Sequence, residues 1–162
     1  MVAAAPSESA TPTEPATPSA TPATGRRIDL EQLSFVLPRS FTDMGGYGNG
    51  LVSGQTWASE ELGCIVTLGR LVELTEYTLE EAAELALANR EPTTREPDRV
   101  VGGEPVSMLI DQSTPALTTY EVGEVGPVVD GSLLSLTFDF QRDEPASAEL
   151  MESILATVEW KG

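Results

Sequence analysis

The sequence predicts an α+β fold, an antiparallel sheet of about six to seven strands packed with two main helices into an α/β sandwich, preceded by a disordered N-terminal stalk. Three observations carry this prediction. Apolar and polar residues alternate through Leu133–Gln141, which is the period of a strand with one buried face. Two segments, one after Thr78 and one after Pro145, repeat apolar residues at helical spacing. The first two dozen residues are almost wholly Ala, Thr, Pro, Ser and Glu, a composition that cannot bury enough apolar surface to offset the entropy of ordering.

The stalk is placed at residues 1–26. Prolines recur at 6, 12, 15, 18 and 22, and no bulky apolar residue stands between Val2 and Ile28. Frequent proline favours polyproline II, so the segment reads as a semi-stiff spacer of about 3.1 Å per residue, reaching roughly 70 Å when extended. Mature bacterial lipoproteins begin in this way behind a lipidated cysteine, which here would precede Val2. Export and membrane tethering through such a lipid are therefore the expectation. A generic tail or interdomain linker has the same composition. No stretch approaches the roughly 20 apolar residues of a membrane span, and Met1–Ala5 lacks the basic start and apolar core of a signal peptide.

Residues 27–162 are expected to form a single α+β domain, large enough to fold without metal or disulfide. Leu33, Phe35 and Leu37 share a face of a first strand that stops at Pro38. Leu51–Ala58 is a weaker strand ending near Trp57. In Cys64–Leu74, residues Cys64, Val66, Leu68, Val72 and Leu74 fall on one face. Val106, Met108 and Ile110 share another. The last two strands, Leu117–Val125 and Leu133–Gln141, are expected to pair as a hairpin, because Asp130-Gly131 supplies the positive φ angles of a tight turn. An irregular tip is expected at Gly126–Val129. Between the first two strands, Gly45–Gly50 reads as a flexible surface loop carrying Tyr47.

The first helix opens with a capping box, Thr78 with Glu81 three residues on. Leu79, Ala82, Ala83 and Ala86 form its stripe, and Glu80, Glu81 and Glu84 cluster near its positive end. It is expected to stop near Asn89. The second follows Pro145, with Leu150, Met151, Ile154, Leu155 and Val158 as one stripe and Trp160 as the anchor of the C-terminus.

The chemistry of the chain is restrictive. It contains no histidine and one cysteine, so Ser-His-Asp and Cys-His catalysis, histidine metal sites and cysteine zinc sites are excluded. The only lysine is Lys161, so the Lys of a phosphate-binding P-loop is missing. Cys64, in the apolar run Cys64-Ile65-Val66, reads as a small core residue. The net charge of −17 repels phosphate backbones and anionic headgroups, which argues against a nucleic-acid partner. The same charge serves simply to keep an exposed domain soluble. Carboxylates are numerous enough for a two-carboxylate hydrolase, and Asp111, Glu121 and Glu124 are candidates for a loose calcium site. No cofactor is expected.

The layout resembles the PsbP/MOG-type α/β sandwich family, which includes small lipoproteins of actinobacterial envelopes. The resemblance runs from about Ile28 to Trp160. It is carried by Phe35-Val36-Leu37-Pro38, the helix Thr78–Asn89, Gly102-Gly103-Glu104-Pro105, Asp130-Gly131 before Leu133–Phe138, and Ile154–Val158. It implies a non-catalytic role: docking onto a protein partner, assembly assistance or small-ligand capture. The function expected is thus a monomeric binding or accessory module of the cell envelope. The alternatives are a small-ligand carrier with a cavity between sheet and helix, and a carboxylate hydrolase. Two features are candidate partner-binding sites, the glycine-rich segment with Tyr47 and Asn49, and the acidic stretch Glu73, Glu76, Glu80 and Glu84.

Overall fold

The computed structural model describes residues 20–49, 52–72, 78–88, 93–114, 117–129, 132–141 and 145–161. They form two antiparallel sheets and two helices. The elements are β1 (Arg26–Asp29), β2 (Leu33–Leu37), β3 (Thr42–Gly48), β4 (Val52–Ser59), β5 (Cys64–Val72), α1 (Leu79–Ala88), β6 (Thr93–Val101), β7 (Glu104–Thr114), β8 (Leu117–Val129), β9 (Ser132–Phe140), α2 (Pro145–Leu155) and β10 (Glu159–Trp160). The larger sheet has seven strands in the order β3-β4-β5-β9-β8-β7-β6, and the smaller has three in the order β1-β2-β10. The larger sheet has the six to seven strands expected, the three-stranded sheet is additional, and the described chain is mostly sheet.

Alternation builds the larger sheet. In β9, Leu134, Leu136, Phe138 and Phe140 are buried, while Leu133, Ser135, Thr137 and Asp139 stand half-buried on the opposite face. The register pairs Phe138 with Val66 of β5 and Tyr120 of β8, and Val66 with Trp57 of β4. These side chains form an inner face. The smaller sheet closes it: Ile28, Leu33, Phe35 and Leu37 join the same core, together with Met151, Ile154, Leu155 and Val158 from α2 and the turn after it. Phe35 and Trp57 meet edge to face with ring centroids 5.4 Å apart, the geometry aromatic pairs prefer.

The two helices lie on opposite faces of the larger sheet. Helix α2 lies on the inner side against β2, whereas α1 packs on β6, β7 and β8. Strand β7 explains why. Val106 and Met108 belong to the inner core, but Ser107 and Leu109 on the opposite face are buried as well. Ala83 of α1 is buried without joining the inner core, so α1 covers this outer face. A strand with both faces buried needs a layer on each side.

Other boundaries shift for local reasons. The capping box forms as expected: the Glu81 carboxylate accepts from the Thr78 N–H at 2.9 Å, and Thr78 Oγ1 accepts from the Glu81 N–H at 3.2 Å. The Thr78 N–H, and after it the Thr78 hydroxyl donating to the same carboxylate at 3.0 Å, hold the Glu81 carboxyl below its ordinary range. Helix α2 ends at Leu155, so Val158 is buried from the following turn rather than from the helical stripe. Strand β8 continues to Val129 with a register shift after Glu124, where the irregular tip is expected. The turn Asp130-Gly131, the helix stop at Asn89 and the strand end at Leu74 lie outside the described residues. The folded unit starts before residue 27. Arg26 pairs with Leu37, Ala23 packs against the core, and the Ala23 N–H donates to Ser153 O at 2.8 Å. Residues 1–19 of the expected stalk are outside the description.

The C-terminus is anchored by Trp160, as its position predicts. Strand β10 pairs with β2, and the indole N–H donates to Val101 O at 2.7 Å. Around it, Arg27 binds Glu159 at 2.5 Å, Lys161 meets Asp29, and Arg99 of β6 meets Glu152 of α2. The indole lies over the two-residue β6–β7 turn, where Gly102 and Gly103 have φ of +59° and +88° and form the mirror-image turn that suits a hairpin. A Cβ at Gly102 would fall 2.7 Å from Val158 O and 2.9 Å from the Trp160 ring, while one at Gly103 meets nothing within 4 Å. Replacing Gly102 by alanine is therefore expected to destabilise the fold by about 1–3 kcal/mol, and Gly103→Ala by less. Urea denaturation of the two variants checks this, and equal losses would show that the tryptophan contact contributes nothing beyond the backbone angle.

Candidate binding face

Among the described residues, helix α1 covers the β6–β8 part of the outer face. Over β3, β4, β5 and β9 that face carries Thr56 and Ala58 from β4, Ile65 and Thr67 from β5, and Ser135, Thr137 and Asp139 from β9. Each alternates with an inward neighbour. Four large side chains on it are well exposed: Tyr47 54%, Val52 44%, Ile65 38% and Leu71 36%. Val52 pairs directly with Leu71, and Tyr47 with Gly54, two residues from Val52. Tyr47, Val52 and Leu71 are thus neighbours, while Ile65 lies at the other end of β5 beside Ala58, and neighbouring exposed apolar groups mark contact surfaces.

The glycines shape this face. Tyr47, Gly54, Gly69 and Ser135 stand in one row across four strands. A Cβ at Gly54 would lie 2.4 Å from the Tyr47 ring, and one at Gly69 would lie 2.7 Å from Ser135 Oγ. The ring therefore lies down over β4, and the Ser135 hydroxyl leans over β5. Beside this row Thr56 and Thr67 share a hydroxyl contact of 3.4 Å, and Thr119 donates to Asp139 at 2.6 Å. The result is a low surface of one aromatic ring, three aliphatic side chains and a band of hydroxyls. It suits contact.

The segment read as a flexible loop is strand β3, and this is a correction. Its pairing with β4 runs from Thr42 opposite Ala58 to Gly48 opposite Ser53, with one irregularity between Asp43 and Gly45. Gly45 has φ +91° and donates its N–H to Asp43 Oδ1 at 2.8 Å, so the irregularity is a bulge that a glycine accommodates. Asn49 is a turn residue: its N–H donates to Val52 O and its Oδ1 accepts from the Val52 N–H at 3.2 Å. Of the expected pair, Tyr47 is on the open face and Asn49 closes the β3–β4 turn.

Of the acidic stretch, Glu80 and Glu84 lie among the described residues, both exposed on α1. Glu80 pairs with Arg95 of β6 at 2.8 Å, and Arg95 also binds Asp98 at 2.9 Å. These two carboxylates raise the Arg95 pKa, Asp98 first. Glu81 is held by the cap, and Glu84 is exposed on α1. Glu73 and Glu76 lie outside the described residues, as do the side chains of Glu121 and Glu124 in the candidate calcium set. Among the described residues, no three cysteine or carboxylate side chains come together as a metal site.

Val52, Ile65 and Leu71 are the residues that sequence reasoning missed. Their signal is present: Cys64-Ile65-Val66 and Leu71-Val72 are apolar at consecutive positions, so β5 is apolar on both faces. No protein-family model matches the chain, and comparison with the curated proteins finds no relative.

Two expectations test this description. Gly54→Val should lift the Tyr47 ring and cost about 1–2 kcal/mol. Tyr47 ring resonances left unmoved in NMR spectra would place the ring elsewhere. Cys64 is 2% exposed, and burial, with the Asp139 charge as a lesser cause, pushes its thiol up to about 12. The fold thus favours the neutral thiol. That contribution is whole below the unfolded thiol pKa, near 8.5, and declines as pH rises from there toward 12. Denaturant titrations of Cys64→Ala beside the unmodified chain should show their stability difference shifting in favour of the variant between about pH 8 and 11, and a pH-independent difference would refute this.

Proposed function

We propose that the chain is a non-catalytic accessory module of a cell envelope, docking a protein partner through the open half of its larger sheet. The observation that carries this reading is the cluster of Tyr47, Val52 and Leu71, with Ile65 farther along the same side, exposed beside the half-face that α1 covers. Leaving such groups in water forgoes about 25 cal/mol per Å² of apolar area, and burying them against a partner recovers it. The hydroxyl band supplies hydrogen bonds of the kind that surround an apolar centre in an interface. A sequence without histidine and with a buried, protonated cysteine lacks the usual nucleophile–base pairs.

The finer placement belongs to the same proposal. The antiparallel sheet with helices on both faces and the soft motifs from Phe35 to Val158 support a PsbP/MOG-type sandwich. The Thr/Pro/Ser/Ala composition of residues 2–24 supports a spacer that holds the domain away from an anchoring surface, with a lipid ahead of Val2 as the anchor. Among the described residues no helix is long and apolar enough to cross a membrane. The module works as a monomer on its own side of the contact.

The test is site-specific photo-crosslinking in envelope extract, with benzoylphenylalanine placed in turn at Tyr47, Leu71 and Glu84. A discrete adduct from the first two positions and none from the third is expected. Equal adducts from all three, or adducts from Glu84 alone, would overturn the assignment to the open face.

A further inference from the structure

We infer that the β3 edge receives an extended, positively charged segment of the partner as an eighth strand of the larger sheet. This rests on the docking reading and specifies its geometry.

The two edges of the sheet differ. At β6 the register breaks between Glu96 and Arg99, and Pro97 lies within the break. Arg95 is tied to Asp98 and Glu80, and Arg99 to Glu152. Proline, a bulge and fixed charged side chains are the devices that keep an edge from pairing. At β3 every residue from Thr42 to Gly48 is exposed, and among the described residues only β4 pairs with it. Its bulge is confined to the Asp43–Gly45 end, leaving Gly45 to Gly48 in regular register. Three of those four residues are glycines, and the fourth, Tyr47, lies inward over Gly54. The outward row of peptide groups is therefore unobstructed by side chains, which is the template that strand addition uses.

Charge selects the occupant. The chain carries −17, so joining two copies edge to edge opposes two strongly negative molecules. Strands β3 and β4 contain no lysine or arginine, and their one charged residue is Asp43, whose carboxylate is held by the neutral donors Gly45 N–H and Gln55 Nε2. Glu60 and Glu61 are exposed in the β4–β5 turn at the same end, with Arg39 the opposing charge. A strand with basic residues answers this field. Side chains alternate across a strand, so its apolar positions on the outer side would lie beside Tyr47.

The test uses the full chain and three acetylated, amidated octapeptides: alternating lysine and valine, the same peptide N-methylated along one backbone edge, and alternating glutamate and valine. Binding and amide hydrogen exchange are read by NMR. The lysine peptide is expected to bind and to slow exchange at Gly46 and Gly48 about tenfold or more, with methylation removing that protection and the glutamate peptide not binding. Equal binding of the methylated peptide would reduce the interaction to charge and overturn the inference. Protection confined to β6, no binding at all, or self-association of the chain through β3 in sedimentation experiments would overturn it as well. Photo-crosslinks from Tyr47 and Leu71 that persist alongside such a failure would locate the error in strand addition and not in the open face.

Discussion

The fold depends on the contact between its two sheets, centred where the edge of one ring meets the face of the other at Phe35 and Trp57, 5.4 Å apart. Both residues are almost wholly buried. Around them the smaller sheet and α2 seal the inner face of the larger sheet with side chains that are distant in sequence. Because that face is sealed by β1, β2, β10 and α2, helix α1 is left for the other side. It contacts three strands, β6, β7 and β8, of the seven in the larger sheet. The open half-face is the part that it does not reach.

The chain's last residues complete this arrangement. β10 contributes two residues to the smaller sheet, yet Trp160 joins that sheet to the β6–β7 turn through Val101 O. Lys161 and Glu159 add contacts to β1, and these draw both carboxyls below their ordinary range: Asp29 through Lys161, and Glu159 through Arg27. These groups are solvent-exposed, so their pairing sets the geometry of a seam more than it adds stability. The partly buried indole, the glycine beneath it and the partly buried Arg99–Glu152 pair hold the two layers in register.

What was legible in the sequence was whatever buries one face at a regular period. β2, β4, β5, β8 and β9 show alternation because each sets a core side against another side, and α1 shows its cap because the capping box is local chemistry. β1 and β10 have four and two residues, too few for a period to emerge. β6 places Arg95, Pro97 and Asp98 where a central strand would carry apolar groups, and it exists as a strand because an edge tolerates them. β3 is exposed on both faces and built largely of glycine, so it has no pattern to read, and the bulge at Gly45 shifts what little remains. The site was legible only at Tyr47. Val52, Ile65 and Leu71 are apolar, and apolarity alone assigns a residue to the core. Their exposure is decided by how far α1 reaches, a tertiary fact.

The open face and the open edge lie at the same end of the sheet. A sheet that leaves aliphatic groups in water beside an unprotected strand combines two liabilities that selection for solubility removes, and β6 shows that this chain has the means to remove them. At β6 arginines are locked into ion pairs and a proline sits at the break. At β3 the glycines hold the ladder clear, and Gly54 lets the one aromatic ring lie flat where a Cβ would force it outward. A purely structural account of Tyr47, a ring covering a strand glycine, explains its posture. It leaves unexplained why three further apolar side chains stand open on the same side of the sheet, and why the edge nearest them is the one without charged guards. A surface that is covered in use accounts for all three features together.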